Sequence, residues 1–144
     1  MKTYFSDLVG SIVVNELSMT YYKGVEAYNN FQSTKATFPA VFLSMPIEAK
    51  FQVRQSGLIE ITFIAEMIFA NLAALDASSD DHLLIQDTMF EKSLEFVAKF
   101  ANEDSVRSIG TGTKALTFEN AFDANISGVT LHLEFMSSVA RAVC

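Results

Sequence analysis

The residues best able to do chemistry are few, and their spacing argues against it. His82 follows Asp80 and Asp81, three adjacent groups of metal-ligand type. Neighbouring residues at a helix start point in different directions, however, and no second histidine stands one turn away, so the trio reads as a helix cap. His132 and Glu134 share one face of a strand. Two ligands are too few for a site, and a solvated sheet face accounts for them. Gly110-Thr111-Gly112-Thr113-Lys114 has the glycines of a phosphate loop but neither its spacing nor a helix behind it, and reads as a hairpin turn. No serine or threonine has a recognisable base. The carboxylates fall at the cap, on a helix face or at polar strand positions, so acid/base work by a buried pair is not expected. Cys144 is the single cysteine and the last residue, a poor setting for a thiolate, and it points by default to a reducing compartment. The expectation is a protein without catalytic, cofactor-binding or metal residues, and not an enzyme.

The elements that carry these residues are legible from periodicity. Phe5, Leu8, Val9, Ile12 and Val13 fall on one helical face, which predicts a short amphipathic helix over 3–17. Residues 18–37 mix Tyr21, Tyr22, Tyr28 and Phe31 with Asn, Gly and Gln, and read as a long ordered loop anchored by aromatics. A strand is expected over 38–45, entered by Pro39 and ended by Pro46, then a short one over 49–53 and a turn at Gln55-Ser56-Gly57. Ile59, Ile61, Phe63, Ala65, Met67 and Phe69 then alternate with Glu60, Thr62 and Glu66 in the longest strand. Its second face also holds Leu58, Ile64 and Ile68, so that face should be covered in part by a helix or a neighbouring subunit.

The stretch from Asp76 to Asp81 is rich in N-cap residues and opens a helix over about 80–101. Leu83, Phe90, Leu94 and Val97 form one apolar stripe of that helix, with Ile85, Met89, Phe96 and Phe100 beside it, and Thr88, Glu91, Glu95 and Lys99 facing solvent. Strands over 106–109, 115–118 and 126–135 follow. The fold expected is α+β: a mostly antiparallel sheet with one main helix packed on a face and a short N-terminal helix. One domain spans 1–144, comprising a helix and loop (1–37), a sheet-and-helix core (38–136) and a tail (137–144).

Composition sets further bounds. Half of the 144 residues are apolar and 12% aromatic, which is a folding composition. Only 19% are charged, and the mean hydropathy is +0.26, less polar material than an isolated small domain spreads over its surface, so an oligomer is expected. A net charge of −7 disfavours tight binding to a phosphate backbone. The apolar window from Leu58 to Leu75 contains Glu60 and Glu66 and alternates with period two, so it reads as a strand and not a membrane span. The start, with Lys2, Ser6 and Asp7, lacks the look of a secretory signal.

Phe38-Pro39-Ala40-Val41-Phe42-Leu43, the long alternating strand, Leu75-Asp76-Ala77-Ser78-Ser79-Asp80-Asp81, Ile85-Gln86-Asp87-Thr88-Met89 and Asn125-Ile126-Ser127-Gly128-Val129-Thr130-Leu131 together resemble the small tail-terminator or tail-completion (neck) proteins of tailed bacteriophages, over about residues 38–135. The resemblance implies a structural virion protein assembled in the host cytoplasm. It would form a homo-oligomeric ring, commonly a hexamer, that caps the tail tube and meets the head connector while DNA passes through without specific binding. In that role Tyr21, Tyr22, Tyr28, Phe31, Arg54, Gln55, Thr111, Thr113 and Lys114 would make subunit or tube contacts. Near alternatives are a tail tube or baseplate adaptor protein. An alternative of another class is a small cytoplasmic ligand-binding domain with its pocket near Phe63, Met67, Phe90 and Phe96.

Overall fold

A computed structural model describes residues 2–24, 37–44, 47–73, 78–121 and 126–137. The chain runs α1 (Lys2–Ser11), a π-helical turn (Ile12–Glu16), β1 (Thr20–Lys23), β2 (Ala40–Leu43), β3 (Glu48–Val53), β4 (Ile59–Leu72), α2 (Ser79–Ala101), β5 (Val106–Ile109), β6 (Lys114–Ala121) and β7 (Ile126–Ser137). The architecture is α+β, a mixed seven-stranded sheet with a long central helix and a short N-terminal one. No helix among the described residues is long and apolar enough to cross a membrane.

The sheet is organised around its two longest strands. β4 and β7 pair antiparallel from Thr62 opposite Met136 to Leu72 opposite Ile126. On the outer side of β4 lie β2, opposite residues 67–70, and β3, opposite residues 59–64. On the outer side of β7 lie β5 and then β6. Each flank is therefore one outer strand in two pieces. Pro46, expected to end the first of these pieces, lies outside the described residues.

The second interruption corrects an expectation. Gly110–Thr113 is not a hairpin turn, because β5 and β6 run in the same direction and both pair with β7. The loop bulges out of the edge, and the Thr113 hydroxyl replaces part of the missing ladder: it donates to the Glu134 carbonyl and accepts from the Glu134 amide, both at 3.1 Å. Gly110 N adds a bond to the same carbonyl at 2.7 Å.

A second correction falls in the segment read as a loop. Thr20–Lys23 is a strand, paired parallel to β2 with Tyr21 opposite Val41. The run Thr-Tyr-Tyr-Lys has strand-forming residues, and β2 supplies a partner whose existence no local pattern reveals.

α2 starts where the sequence indicates. Ser78 is the N-cap, accepting from Asp81 N at 3.3 Å while its own amide donates to Asp81 Oδ2 at 3.0 Å. The hydrogen bonds from Ser78 hold the Asp81 carboxyl below the usual carboxylate range. Asp80–Asp81 is thus cap chemistry. His82, beyond it, turns inward and is buried, its Nδ1 2.5 Å from the buried Ser127 Oγ on β7.

The core lies between α1, α2 and one sheet face. Phe5 and Phe63 each stack on Phe135, and Phe96 stacks on Phe100. Val41, Leu43, Met67, Phe69, Met89, Leu131 and Leu133 fill in around them. Each such side chain contributes about 1.5–3 kcal/mol on burial, so this layer holds the helix to the sheet. Among the described residues the opposite face carries a smaller apolar cluster made by the sheet's own side chains, not by the covering helix or neighbouring subunit expected there. Ala40, Phe42, Ala70 and Ile126 form it, with Tyr22, Phe38, Ile68 and Phe118 against it.

Of the two apolar stripes on α2, the fold buries the one with Met89, Phe96 and Phe100 and leaves the other outside. The buried line is His82, Gln86, Met89, Ser93, Phe96 and Phe100, spaced three and four apart. Leu83, Leu84, Phe90 and Leu94 are 42–66% exposed. The buried polar residues are each matched, His82 by Ser127, Gln86 by the Phe118 carbonyl at 3.0 Å and Ser93 by the Phe90 carbonyl at 2.7 Å. Satisfied in this way they cost little inside, and the aliphatic flank is left outside.

Candidate functional site

The chemistry-bearing groups are dispersed. Among the described residues no three histidine, cysteine or acidic side chains cluster as a metal site would require. His132 Nδ1 lies 3.7 Å from Glu66 Oε2 across the β4–β7 pair, while the Glu134 side chain lies over the loop at Gly110 and Gly112. A cleft between α1, α2 and the sheet holds about 10 Å³, room for no more than one water. Its lining includes Phe5, Phe63, Phe100 and Phe135, which are core residues.

What the molecule presents to its surroundings is apolar surface on two opposite edges. On the β4 side, the β3–β4 hairpin forms an arm. Its turn closes with Gly57 N bonding to the Arg54 carbonyl at 2.9 Å, and Gly57 takes φ 82°, a conformation that costs glycine nothing. Arg54 Nε and Nη2 grip Glu60 Oε1 and Oε2, both at 3.0 Å, and Arg107 Nη1 on β5 stands 3.9 Å from Oε1. The Arg54 hydrogen bonds hold the Glu60 carboxyl below the usual range, against the opposing effect of burial. The arm is stiffened by this clamp on one face and bare on the other. Phe51 and Val53, paired with Ile61 and Ile59, are each 69% exposed on the side of the sheet that α2 covers further along.

The other edge combines β6 with a flank of α2. Lys92 Nζ reaches the Leu17 carbonyl at 3.5 Å and Lys99 Nζ stands 3.6 Å from Glu16, so that side of the helix faces the π-helical turn. At about 100° per residue, Leu83, Phe90 and Leu94 occupy the opposite flank. Gln86, between that flank and the buried line, bonds to Phe118 of β6. The exposed stripe therefore overhangs the edge formed by β6, where Leu116 is exposed on the opposite face of the sheet.

The nine residues expected at contacts distribute unevenly over these surfaces. Arg54 and Gln55 sit exposed at the arm tip, Thr111 and Lys114 exposed at the bulge on the opposite edge. Tyr21 and Tyr22 have partners inside the subunit. The Tyr21 hydroxyl is 2.8 Å from Ser6 Oγ, and burial pushes its phenol pKa up, with the Ser6 hydrogen bond partly offsetting this. Tyr22 stacks on Phe42 and accepts from Thr37 N at 2.9 Å. Thr113 is occupied with Glu134. Tyr28, Phe31 and Cys144 lie outside the described residues. Phe51, Val53, Leu83, Leu84 and Leu94 were not among the expected contacts. Their signal was present as alternation in β3 and as a second apolar stripe in α2, but sequence does not reveal which stripe the fold leaves bare.

The chain matches no protein-family model and no curated protein.

Proposed function

We propose that this chain is a non-enzymatic structural subunit that assembles head-to-tail into a closed ring, and that the ring serves as a tail terminator or neck component of a tailed phage. The observation that carries the reading is the pair of unlike open edges. Among the described residues no strand pairs with the outer side of β3 or of β6, and the two lie on opposite sides of the β4–β7 pair. One edge bears Phe51 and Val53, the other Leu116 and the overhanging α2 flank. Surfaces that differ and lie on opposite sides favour heterologous association, which closes into a ring when the rotation permits. Unpaired edges with apolar neighbours also favour sheet continuation between subunits.

A ring at a head-to-tail joint needs a passage to which DNA does not adhere. The sheet face away from α2 carries Glu48, Glu60, Glu66 and Glu134 against Lys50, Arg54, Arg107 and Lys114, a balance without a continuous basic track. The resemblance of the sequence to terminator proteins supplies the location in the virion and the hexameric expectation. Labelling with antibody in particles of a phage that encodes the chain tests the reading: label at the head–tail joint, and tubes of uncontrolled length when the gene is deleted, are expected. Label along the whole tail, or loss of tubes on deletion, identifies a tube protein instead.

A further inference from the structure

We infer that β6 has two registers on β7, and that Thr113 is the pin that selects the one observed. The device does not depend on assembly into rings. Ile109 lies opposite Phe135 and Lys114 opposite His132, so residues 110–113 of the outer chain face only residues 133 and 134 of β7. Two residues are in excess, and the loop holds them as slack. A shift of one residue along a strand turns every side chain to the wrong face, whereas a shift of two keeps each on its own. The excess is thus of the kind that a slide can absorb. Continued in the register of β5, β6 places Lys114 opposite Thr130, Ala115 opposite Val129 and Leu116 opposite Gly128, with Ala115 still toward the core. The slide carries the open edge of β6 about 7 Å along β7.

Hydrogen bonding is conserved through the exchange. In the observed register the Thr113 hydroxyl serves both main-chain groups of Glu134 at 3.1 Å. Gly110 N already donates to the Glu134 carbonyl at 2.7 Å, which is one bond of the slid ladder in place. The Gly110 carbonyl, now taken by Thr113 N at 3.2 Å, accepts from the Glu134 amide once Thr113 leaves. No main-chain group of Glu134 is stranded in either state. Sterics agree. The Glu134 carboxylate lies where a Cβ on Gly110 or Gly112 would stand, and in the slid register these two glycines come opposite Glu134 and His132 with no side chain to collide. At the far end Gln86 Nε2 holds the Phe118 carbonyl at 3.0 Å and opposes the slide, but the ladder beyond is already irregular between Phe118 and Ala121. Thr113 and Gln86 are therefore what the slide must release.

Paired cysteines in a Cys144→Ser background read the register. Leu116→Cys with Thr130→Cys puts the two thiols directly opposite in the observed register, at a Cα separation of about 4.5–5.5 Å that a disulfide spans. Lys114→Cys with Thr130→Cys stands on the diagonal, about 7–8 Å apart, and closes only after the slide. Lys114 and Leu116 are exposed, and circular dichroism checks that each variant folds. The first pair is expected to close readily. The second is expected to close slowly with the loop intact and at least about 10-fold faster when Thr113→Val removes the two hydroxyl bonds. Deleting Thr111 and Gly112 joins β5 to β6 with no slack and is expected to abolish that closure. The comparison of intact and shortened loops leaves Thr113 in place, so it decides the slide even if Thr113→Val does not fold. Equal closure of the diagonal pair in intact and shortened loops overturns the slide. Equal closure with and without the Thr113 hydroxyl overturns its role as the pin.

Discussion

Arg54 holds Glu60 by two parallel hydrogen bonds of 3.0 Å, and this fork ties the tip of the β3–β4 arm to the base of β4. The carboxylate oxygens are satisfied by Arg54 and approached by Arg107 from β5, so one acid connects three elements. Because the Glu60 pKa is lowered in the folded protein, its contribution is fully present above the ordinary carboxylate range and is lost as pH falls through the folded value. Glu60→Gln is therefore expected to lower the melting temperature at neutral pH, with the difference from wild type vanishing in acid. Thermal melts of both proteins across a pH series check this, and a difference that persists in acid would show that the charge is not what matters.

The bond between His82 and Ser127 predicts a non-additive pair. Ser127→Ala leaves a buried ring nitrogen without its partner and is expected to cost about 1–3 kcal/mol. Replacing His82 by Leu in the Ser127→Ala background is expected to recover part of that loss, since two apolar groups leave nothing unsatisfied. Urea unfolding of the two single variants and the double variant gives the coupling directly, and simple additivity would argue that the two side chains do not depend on each other.

Orientation of α2 predicts opposite outcomes for neighbouring apolar residues. Phe96 is fully buried and packs edge-on to Phe69, so Phe96→Ala is expected to cost about 3–5 kcal/mol. Leu94 is 54% exposed, and Leu94→Ala is expected to change subunit stability by under about 1 kcal/mol while weakening assembly. Urea midpoints at dilute protein concentration separate the two. Equal losses would mean that both flanks of the helix are buried.

Gly128 on β7 sits against β4, where a Cβ would overlap the Phe69 carbonyl oxygen and crowd the Ala70 Cα. Backbone cannot move aside as a side chain can, so Gly128→Ala is expected to destabilise by about 3 kcal/mol, measurable as a drop in urea midpoint. A neutral effect would require the β4–β7 pair to be spaced more widely at this point.

Much of this arrangement was readable from the chain, and the misses share a cause. β4, β7 and α2 emerged from period two and period 3.6 because one face of each meets the core over many residues, and the Ser78–Asp81 cap followed from local chemistry. β1 was missed because four residues gain strand structure only from a partner some twenty positions away. The Gly110–Thr113 loop was assigned to a hairpin because its glycines signal a turn without saying with which strand the flanking segments pair. In α2 both apolar stripes were legible, but Leu83 and Leu94 are as apolar as Met89 and Phe96, so apolarity alone does not choose between them. The fold buries the polar line because Ser127 and two main-chain carbonyls meet it, and it is this choice that exposes the candidate interface.

The most direct test of the central claim is the mass of the wild-type protein by light scattering over a concentration series, with negative-stain images of the same fractions. Closed rings of a fixed integer multiple of the 15.9 kDa subunit, with six copies the expected number, are the predicted result. A strict monomer at every concentration, or open filaments that lengthen with concentration, would contradict it.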